Sequence, residues 1–307
     1  MHKVFIDGSA GTTGLKIFDR LSKRRDLKLI TLSEELRKDV TARREAINSA
    51  DIVFLCLPDV AAIESVSLIE NNNVKVIDTS TAHRVNPAWE YGFAELKGRR
   101  ERIQNAKFIA NPGCHASGFI ALIEPLIRSG IIKPDIKLSC FSITGYTGGG
   151  KKMIAEYEGE NKPILYNAPR QYGLSQTHKH LPEMQAICGL EVNPIFCPIV
   201  ADFPRGMEVT VPLFGKDVKG GMEGIKQVYR EAYNGKIVHF DEEAEESGFM
   251  SANAFAERDD MQIIVKGNAD RILLISRFDN LGKGASGAAI QNMNITLGVD
   301  ETTGLNV

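Results

Sequence analysis

The first 115 residues alternate short apolar runs with helical patterns, and this alternation limits the fold more than any other feature. Residues 3–6, 27–32, 51–57, 74–77 and 107–110 read as buried strands, while 15–21, 41–49 and 59–70 carry apolar side chains at helical spacing. Strands separated by helices imply a parallel, doubly wound sheet. Ligands of such sheets lie beyond the carboxyl ends of the strands. The turns at residues 8–14, 57–58, 78–80 and 111–114 are therefore expected to converge on one crevice.

Gly8-Ser9-Ala10-Gly11-Thr12-Thr13-Gly14 joins the first strand to the first helix. Glycines let the backbone approach a pyrophosphate, and a helix N-terminus holds its charge, so Gly8, Ser9, Gly11, Thr12, Thr13 and Gly14 are expected to bind a dinucleotide. The spacing carries one residue more between the first two glycines than the usual fingerprint. The second strand ends in Ser33 rather than an acidic residue, and Glu34, Glu35, Arg37 and Lys38 follow. Ser33 with Arg37 or Lys38 suits a 2′-phosphate, which makes NADP the expected cofactor. Cys56, Pro58 and Ser80, at the ends of the third and fourth strands, are expected along the same cofactor.

After about residue 130 the texture changes. Residues 136–144, 191–200, 208–213 and 262–265 alternate or run apolar between loops, as in a mainly antiparallel sheet with a few helices. The expected architecture is α/β: a doubly wound parallel dinucleotide-binding sheet in residues 1–115, completed by a C-terminal helix of about 281–307, and an α+β catalytic domain in 116–280. That second domain would carry substrate and assembly contacts.

Cys114, in Asn111-Pro112-Gly113-Cys114, follows a strand and opens a helical pattern that ends at Ser129-Gly130. Unpaired N–H groups and the positive dipole end favour a thiolate there, which makes Cys114 the candidate nucleophile; its bland alternative is a small buried hydrophobe. A thiolate beside a nicotinamide suits reductive attack on an activated acid, in which a thioester forms and hydride reduces it to an aldehyde. This needs a base. His178 and His180 are the candidates, His178 being taken first although the spacing does not decide, and His115 is the spare. A surface histidine pair or an H-x-H metal site would use the same residues. If phosphate leaves, Arg84, Arg170 and Arg205 are the cations to meet it, with Asn111 beside the substrate and Arg84 the first choice.

Composition narrows the alternatives. The chain has 307 residues, 43% of them hydrophobic, and a formal net charge of −2, which leaves no basic footprint for nucleic acid. No apolar run is long enough to span a bilayer, and no charged-then-apolar leader precedes the first strand. Five cysteines without C-x-x-C pairing argue against a disulfide framework or thiolate metal site, and fit a reducing cytoplasm.

Gly8 to Gly14, Asn111-Pro112-Gly113-Cys114, His178-Lys179-His180-Leu181-Pro182-Glu183 and Asp279-Asn280-Leu281-Gly282-Lys283-Gly284-Ala285-Ser286-Gly287 together resemble the short, type 2 N-acetyl-γ-glutamyl-phosphate reductases. The resemblance covers essentially the whole chain. It implies an NADPH-dependent enzyme of arginine biosynthesis that reduces N-acetyl-γ-glutamyl phosphate to the semialdehyde with release of phosphate, Cys114 being the nucleophile and His178 or His180 the base. It also implies that Asn280 and Gly282 lie against the nicotinamide, and that the chain forms a homo-oligomer, dimer or tetramer. Aspartate-semialdehyde-type dehydrogenases share the thioester logic. Outside that class, Gly145-Tyr146-Thr147-Gly148-Gly149-Gly150-Lys151 has a P-loop skeleton, although Lys152 stands where a magnesium-binding hydroxyl is required. A non-catalytic dinucleotide sensor is the remaining alternative.

Overall fold

A computed structural model describes residues 1–307, and the chain divides into two units. The first comprises Met1–Ala94, Gly98–Pro112 and Ala285–Leu305. Its strands are β1 (His2–Asp7), β2 (Leu27–Ile30), β3 (Ile52–Leu55), β4 (Lys75–Asp78), β5 (Glu90–Tyr91) and β6 (Phe108–Ala110). They form one parallel sheet in the order β2-β1-β3-β4-β6-β5. The helices are α1 (Thr12–Leu21), α2 (Val40–Ser49), α3 (Asp59–Ser67) and α4 (Arg99–Asn105). β3 is buried at all four positions, which is why its sequence runs apolar instead of alternating. Both faces carry cores. Val4, Ile6, Ile17 and Phe54 pack on one, and Phe5, Ile47, Val53 and Val76 on the other.

The second unit comprises Glu95–Lys97, Gly113–Gly284 and Asn306–Val307. It holds α5 (Cys114–Arg128), β7 (Ser139–Gly145), α6 (Gly150–Glu158), β8 (Arg170–Gln171), α7 (Leu181–Cys188), β9 (Ile195–Ala201), β10 (Met207–Phe214), α8 (Gly221–Ala232), β11 (Val238–Phe240), β12 (Met261–Gly267) and β13 (Arg271–Phe278). The seven strands run in the order β11-β12-β13-β10-β7-β9-β8, antiparallel except at β11-β12 and β7-β9.

α5 lies against this sheet with almost no gap. A Cβ on Gly118 would stand 2.5 Å from Val209 and 2.9 Å from Phe278. Pro125 sits inside α5 and lacks the N–H that would reach the Ala121 carbonyl. The Tyr233 hydroxyl donates to that carbonyl at 2.6 Å, and the Tyr229 hydroxyl donates to Leu122 O at 2.5 Å. The sheet also carries exposed apolar side chains: Phe141, Ile195, Phe214 and Leu273 are each at least 40% accessible. Register aligns Phe141 with Cys197 on one neighbour and Thr210 on the other, and Leu273 with Pro212.

Two segments differ from the sequence expectation. The expected C-terminal helix of about 281–307 begins as a π-turn (Gly282–Ser286) and continues only as α9 (Gly287–Leu297), which lies in the first unit. β13 was not anticipated. Its sequence holds the short apolar run Ile272-Leu273-Leu274-Ile275, but the last five residues are all buried, Ser276 and Arg277 among them, so no period of two marks it.

Candidate active site and cofactor cavity

In the first unit a cavity of about 930 Å³ opens at the carboxyl ends of β1 and β2. Asp7, Gly8, Ser9, Ala10 and Gly11 line one part of it, Thr31, Leu32, Glu34, Arg37 and Lys38 another. Gly8 adopts φ +90°, and a Cβ there would come within 2.3 Å of the Cys56 carbonyl oxygen; a Cβ on Gly14 would come within 2.4 Å of Gly8 O. Only glycine fits the turn at these two positions. Thr12 and Thr13 start α1. The extra residue in the glycine spacing is absorbed by a turn in which Gly11 N–H donates to Gly8 O. An open glycine backbone, a helix N-terminus and a cavity of this size fit a dinucleotide.

The other expected cofactor residues stand as follows. The Ser33 carbonyl accepts the N–H groups of Leu36 and Arg37, shaping the turn that brings Arg37 to the cavity. Arg37 meets Glu34 at 2.8 Å, both facing solvent. Pro58 caps α3. Burial pushes the Cys56 thiol up to about 12, which makes it inert as a nucleophile. Ser80 donates its N–H and hydroxyl to the buried Asp78 carboxylate at 2.9 and 2.7 Å. Asp78 also holds His83 Nδ1 at 2.6 Å, and His83 stacks on Trp89. Arg84, from the same turn, donates to Thr79 O at 3.1 Å. Asn111 gives its amide to Ala285 O and accepts from Asn292, committing both ends within the first unit. Asn280 and Gly282 belong to the second unit. The Asn280 side chain accepts from Gly206 N–H and donates to Thr147 Oγ1, and Gly282 packs where a Cβ would meet Arg258 O.

In the second unit Gly113 is the extended residue before α5, and Cys114 is its first helical residue. Gly284 crosses so close that its Cβ would lie 3.0 Å from Cys114 Cβ. The buried Glu183, in the first turn of α7, accepts the Gly113 N–H at 2.8 Å, tying α7 to the turn before the sulfur. Both candidate histidines precede that helix. The His115 ring lies 5.7 Å from His178 and 5.6 Å from His180, and the last two are 4.8 Å apart. Sequence neighbours of Cys114 and the histidine pair thus share one cluster.

Hydrogen bonding sorts the three rings. The His180 N–H donates to His178 Nδ1 at 3.2 Å, so a neutral His178 carries its proton on Nε2 and offers a donor there. His115 lies 2.7 Å from Ser142 Oγ through Nδ1 and 2.7 Å from the Tyr172 hydroxyl through Nε2. Burial, with His178 nearby, lowers its pKa to about 3, so this ring is neutral. The fully buried Ser142 hydroxyl has His115 as its one partner and must donate to Nδ1, because an unpaired buried donor costs about 1–3 kcal/mol. His115 then donates from Nε2 to Tyr172. The Tyr172 proton is left to point elsewhere. Burial raises the Tyr172 pKa, and the nearby Cys114 raises it further, so the phenol stays protonated.

Like Arg84, the other two expected arginines are engaged by protein. Arg205 pairs with Asp279 at 2.9 Å and reaches Glu257 at 3.4 Å. Arg170 lies 3.4 Å over the Tyr166 ring and donates to the Tyr157 hydroxyl at 3.2 Å. Arg170 and Tyr172 are two apart along an extended segment and share one side of it. Ser142, Tyr172 and Glu183 had not been singled out from the sequence; the strand spacing from Arg170 to Tyr172 is the one local signal that could have found Tyr172. The P-loop reading fails on backbone. The N–H groups of Gly145, Tyr146 and Thr147 donate to the carbonyls of Gly206, Phe203 and Pro204, leaving them unavailable to a phosphate.

Comparison with known proteins gives the same two-part division. Residues 3–106 match the NAD binding domain of semialdehyde dehydrogenases, and residues 114–280 match their dimerisation domain. N-acetyl-gamma-glutamyl-phosphate reductases of Brucella ovis and Brucella canis are each 47% identical over 306 residues, covering 96% of this chain and 99% of their own. Among solved structures, aspartate semialdehyde dehydrogenase II from Vibrio cholerae superposes with a TM-score of 0.69 at 15% identity, over 97% of this chain and 98% of that one. The Candida albicans aspartate semialdehyde dehydrogenase with NADP gives 0.66 at 15%, over 96% and 98%. These two likenesses concern the fold.

Proposed function

The chain belongs to the semialdehyde dehydrogenase family, and we propose that within it this protein is an N-acetyl-γ-glutamyl-phosphate reductase of arginine biosynthesis. It would reduce the acyl phosphate to the semialdehyde with release of phosphate. The observation that carries the chemistry is the cysteine at the N-terminus of α5 beside a cluster of three histidines and a tyrosine. The end-to-end identity to the Brucella enzymes supports the substrate.

In this reading the Cys114 sulfur attacks the acyl carbon, the carbon–oxygen bond to phosphate breaks, and a thioester forms on Cys114. A nicotinamide, when bound, would supply the hydride that reduces the thioester, after which the carbon–sulfur bond breaks to release the aldehyde and return the Cys114 thiolate. His180 accepts the cysteine proton, because His178 Nδ1 is already used by a backbone N–H. This departs from the order taken in the sequence, His178 first, which the spacing did not decide. The Tyr172 O–H, aligned by Ser142 and His115, stabilises the oxyanion at Cys114. Arg170, held by two tyrosines on the same side of its strand as Tyr172, takes a carboxylate or phosphate of the substrate. Arg84 is kept as the phosphate cation of the first unit. Asn280, Gly282 and Arg205 shape the backbone of the second unit, and Asn111 that of the first.

NADP is the cofactor of this reading, with Arg37 and Lys38 on the cavity wall to meet a 2′-phosphate and Ser33 shaping their turn. The exposed apolar row on the second sheet, within the region matching a dimerisation domain, supports a homo-oligomer, a dimer or a tetramer. No helix is long and apolar enough to cross a membrane, and all five cysteines are free, which supports a cytoplasmic enzyme.

The test is NADP reduction in the reverse direction with phosphate and a panel of semialdehydes. N-acetyl-glutamate semialdehyde should be oxidised far faster than aspartate semialdehyde, and Cys114→Ser should abolish this while still binding NADPH. A preference for aspartate semialdehyde would keep the chemistry and overturn the substrate; activity of Cys114→Ser above a few per cent would overturn the thioester.

A further inference from the structure

Beneath the glycine turn lies a charged network that dinucleotide binding as described above does not use. Asp7, the last residue of β1, is 3% exposed and precedes Gly8 directly. Arg43, on α2 and 6% exposed, donates to Asp7 Oδ2 through Nε at 3.2 Å and Nη2 at 3.1 Å. Ser65, on α3 and fully buried, donates to the same oxygen at 2.7 Å and accepts from Arg43 Nη2 at 2.6 Å. Arg43 Nη1 makes only a 3.4 Å contact with Glu64, whose side chain is 48% exposed. Asp7, Arg43 and Glu64 all line the 930 Å³ cavity.

A carboxylate at this place needs an explanation. In a strand–turn–helix dinucleotide site the pyrophosphate is received by the turn that follows the first strand. Asp7 therefore puts a buried negative charge directly before the backbone that must accept two more. Like charges in a poorly solvated site repel strongly, whereas an arginine fork on the same carboxylate cancels most of that field. The bond geometry also ties the end of β1 to α2 and α3, which fixes where the turn begins.

We infer that Arg43 is a positioning residue for the cofactor: by neutralising Asp7 and clamping it to Ser65, it allows the Gly8–Gly11 turn to receive a pyrophosphate. This rests on the reading of the cavity as a dinucleotide site. It differs from the role given to Arg37, because Arg43 acts on a part of the cofactor that NADH and NADPH share.

The test is binding, not turnover. Dissociation constants of ADP-ribose, NADH and NADPH are measured by calorimetry for the full-length protein, and that of adenosine by ligand-observed NMR. Arg43→Met should weaken ADP-ribose, NADH and NADPH alike, by about 10- to 100-fold, the range for losing a charge-assisted contact. Adenosine, without a pyrophosphate, should change by less than about twofold, the mark of an effect on charge rather than on the fold. The double variant Asp7→Asn/Arg43→Met should recover most of the loss, and Arg43→Lys part of it. Undiminished ADP-ribose binding by Arg43→Met, parallel loss of adenosine, or absence of rescue in the double variant would each overturn the inference. If the wild-type protein bound no ADP-ribose at all, the cavity reading would fall and take this inference with it.

Discussion

The Nε2 atom of His115 stands 2.7 Å from the Tyr172 hydroxyl, and the direction of that hydrogen bond is set from the far side of the ring, by Ser142. In the proposed mechanism His115, next to Cys114 in sequence, aligns a phenol instead of moving a proton, because its ring is neutral and both nitrogens are bonded.

Tyr172→Phe is expected to lower kcat about 10²–10³-fold, the cost of losing one preorganised oxyanion donor, with KM for the acyl phosphate little changed. Ser142→Ala should lose a smaller part of kcat, because His115 is then free to accept from Tyr172, and Ser142→Thr should restore it. Steady-state kinetics of the three variants checks the relay. A Tyr172→Phe enzyme within twofold of wild type would sink it.

His180→Asn is expected to cost about 10²–10⁴-fold in kcat, the range for general acid–base help, and to remove the acid limb of the pH–rate profile. His178→Asn should instead raise KM and keep that limb, as expected when uniform binding is lost. The opposite pattern would return the base to His178.

Arg37→Ala should reduce the preference for NADPH over NADH roughly tenfold to hundredfold, as kcat/KM ratios would record. The Glu34 pairing is solvent-facing, so its loss contributes little of this. An unchanged ratio would move the 2′-phosphate contact to Lys38.

Acid should destabilise the fold through His115. Its folded pKa, about 3, lies below the ordinary 6.5, so the unfolded chain binds the extra proton first. The stabilisation is fully present above 6.5 and is lost as pH falls from there toward 3, at about 1.4 kcal/mol per unit. Urea midpoints at pH 7.5 and 5 should therefore diverge less in His115→Asn than in wild type. Equal pH dependence would mean that another group dominates.

Much of the first unit was legible because its rules are local. A parallel sheet buried on both faces writes itself as apolar runs such as β3, and a turn that requires Gly8 at φ +90° writes itself as glycine. The place of Cys114, where a strand gives way to a helix, was legible for the same reason. What the chain did not display were contacts between distant segments. Ser142, Tyr172 and Glu183 come from a strand, a strand margin and a helix, and each acquires its part only by meeting residues 113–115. Asn111 and Arg205 show the converse. A polar side chain near a motif suggests a ligand, and the structure adds what the sequence does not display, that Asn111 bonds Ala285 and Asn292 and that Arg205 bonds Asp279.

The proline in α5 bears on how the protein is made. Its missing bond at Ala121 is supplied from Tyr233, 112 residues later in the chain, and the support of Leu122 comes from Tyr229. A nascent chain emerging N-terminus first exposes α5 long before either hydroxyl has been synthesised. The helix that carries Cys114 can begin early, but it cannot settle into its buried place until translation has passed residue 233. The Cys114 sulfur is thus among the last features of its unit to become fixed.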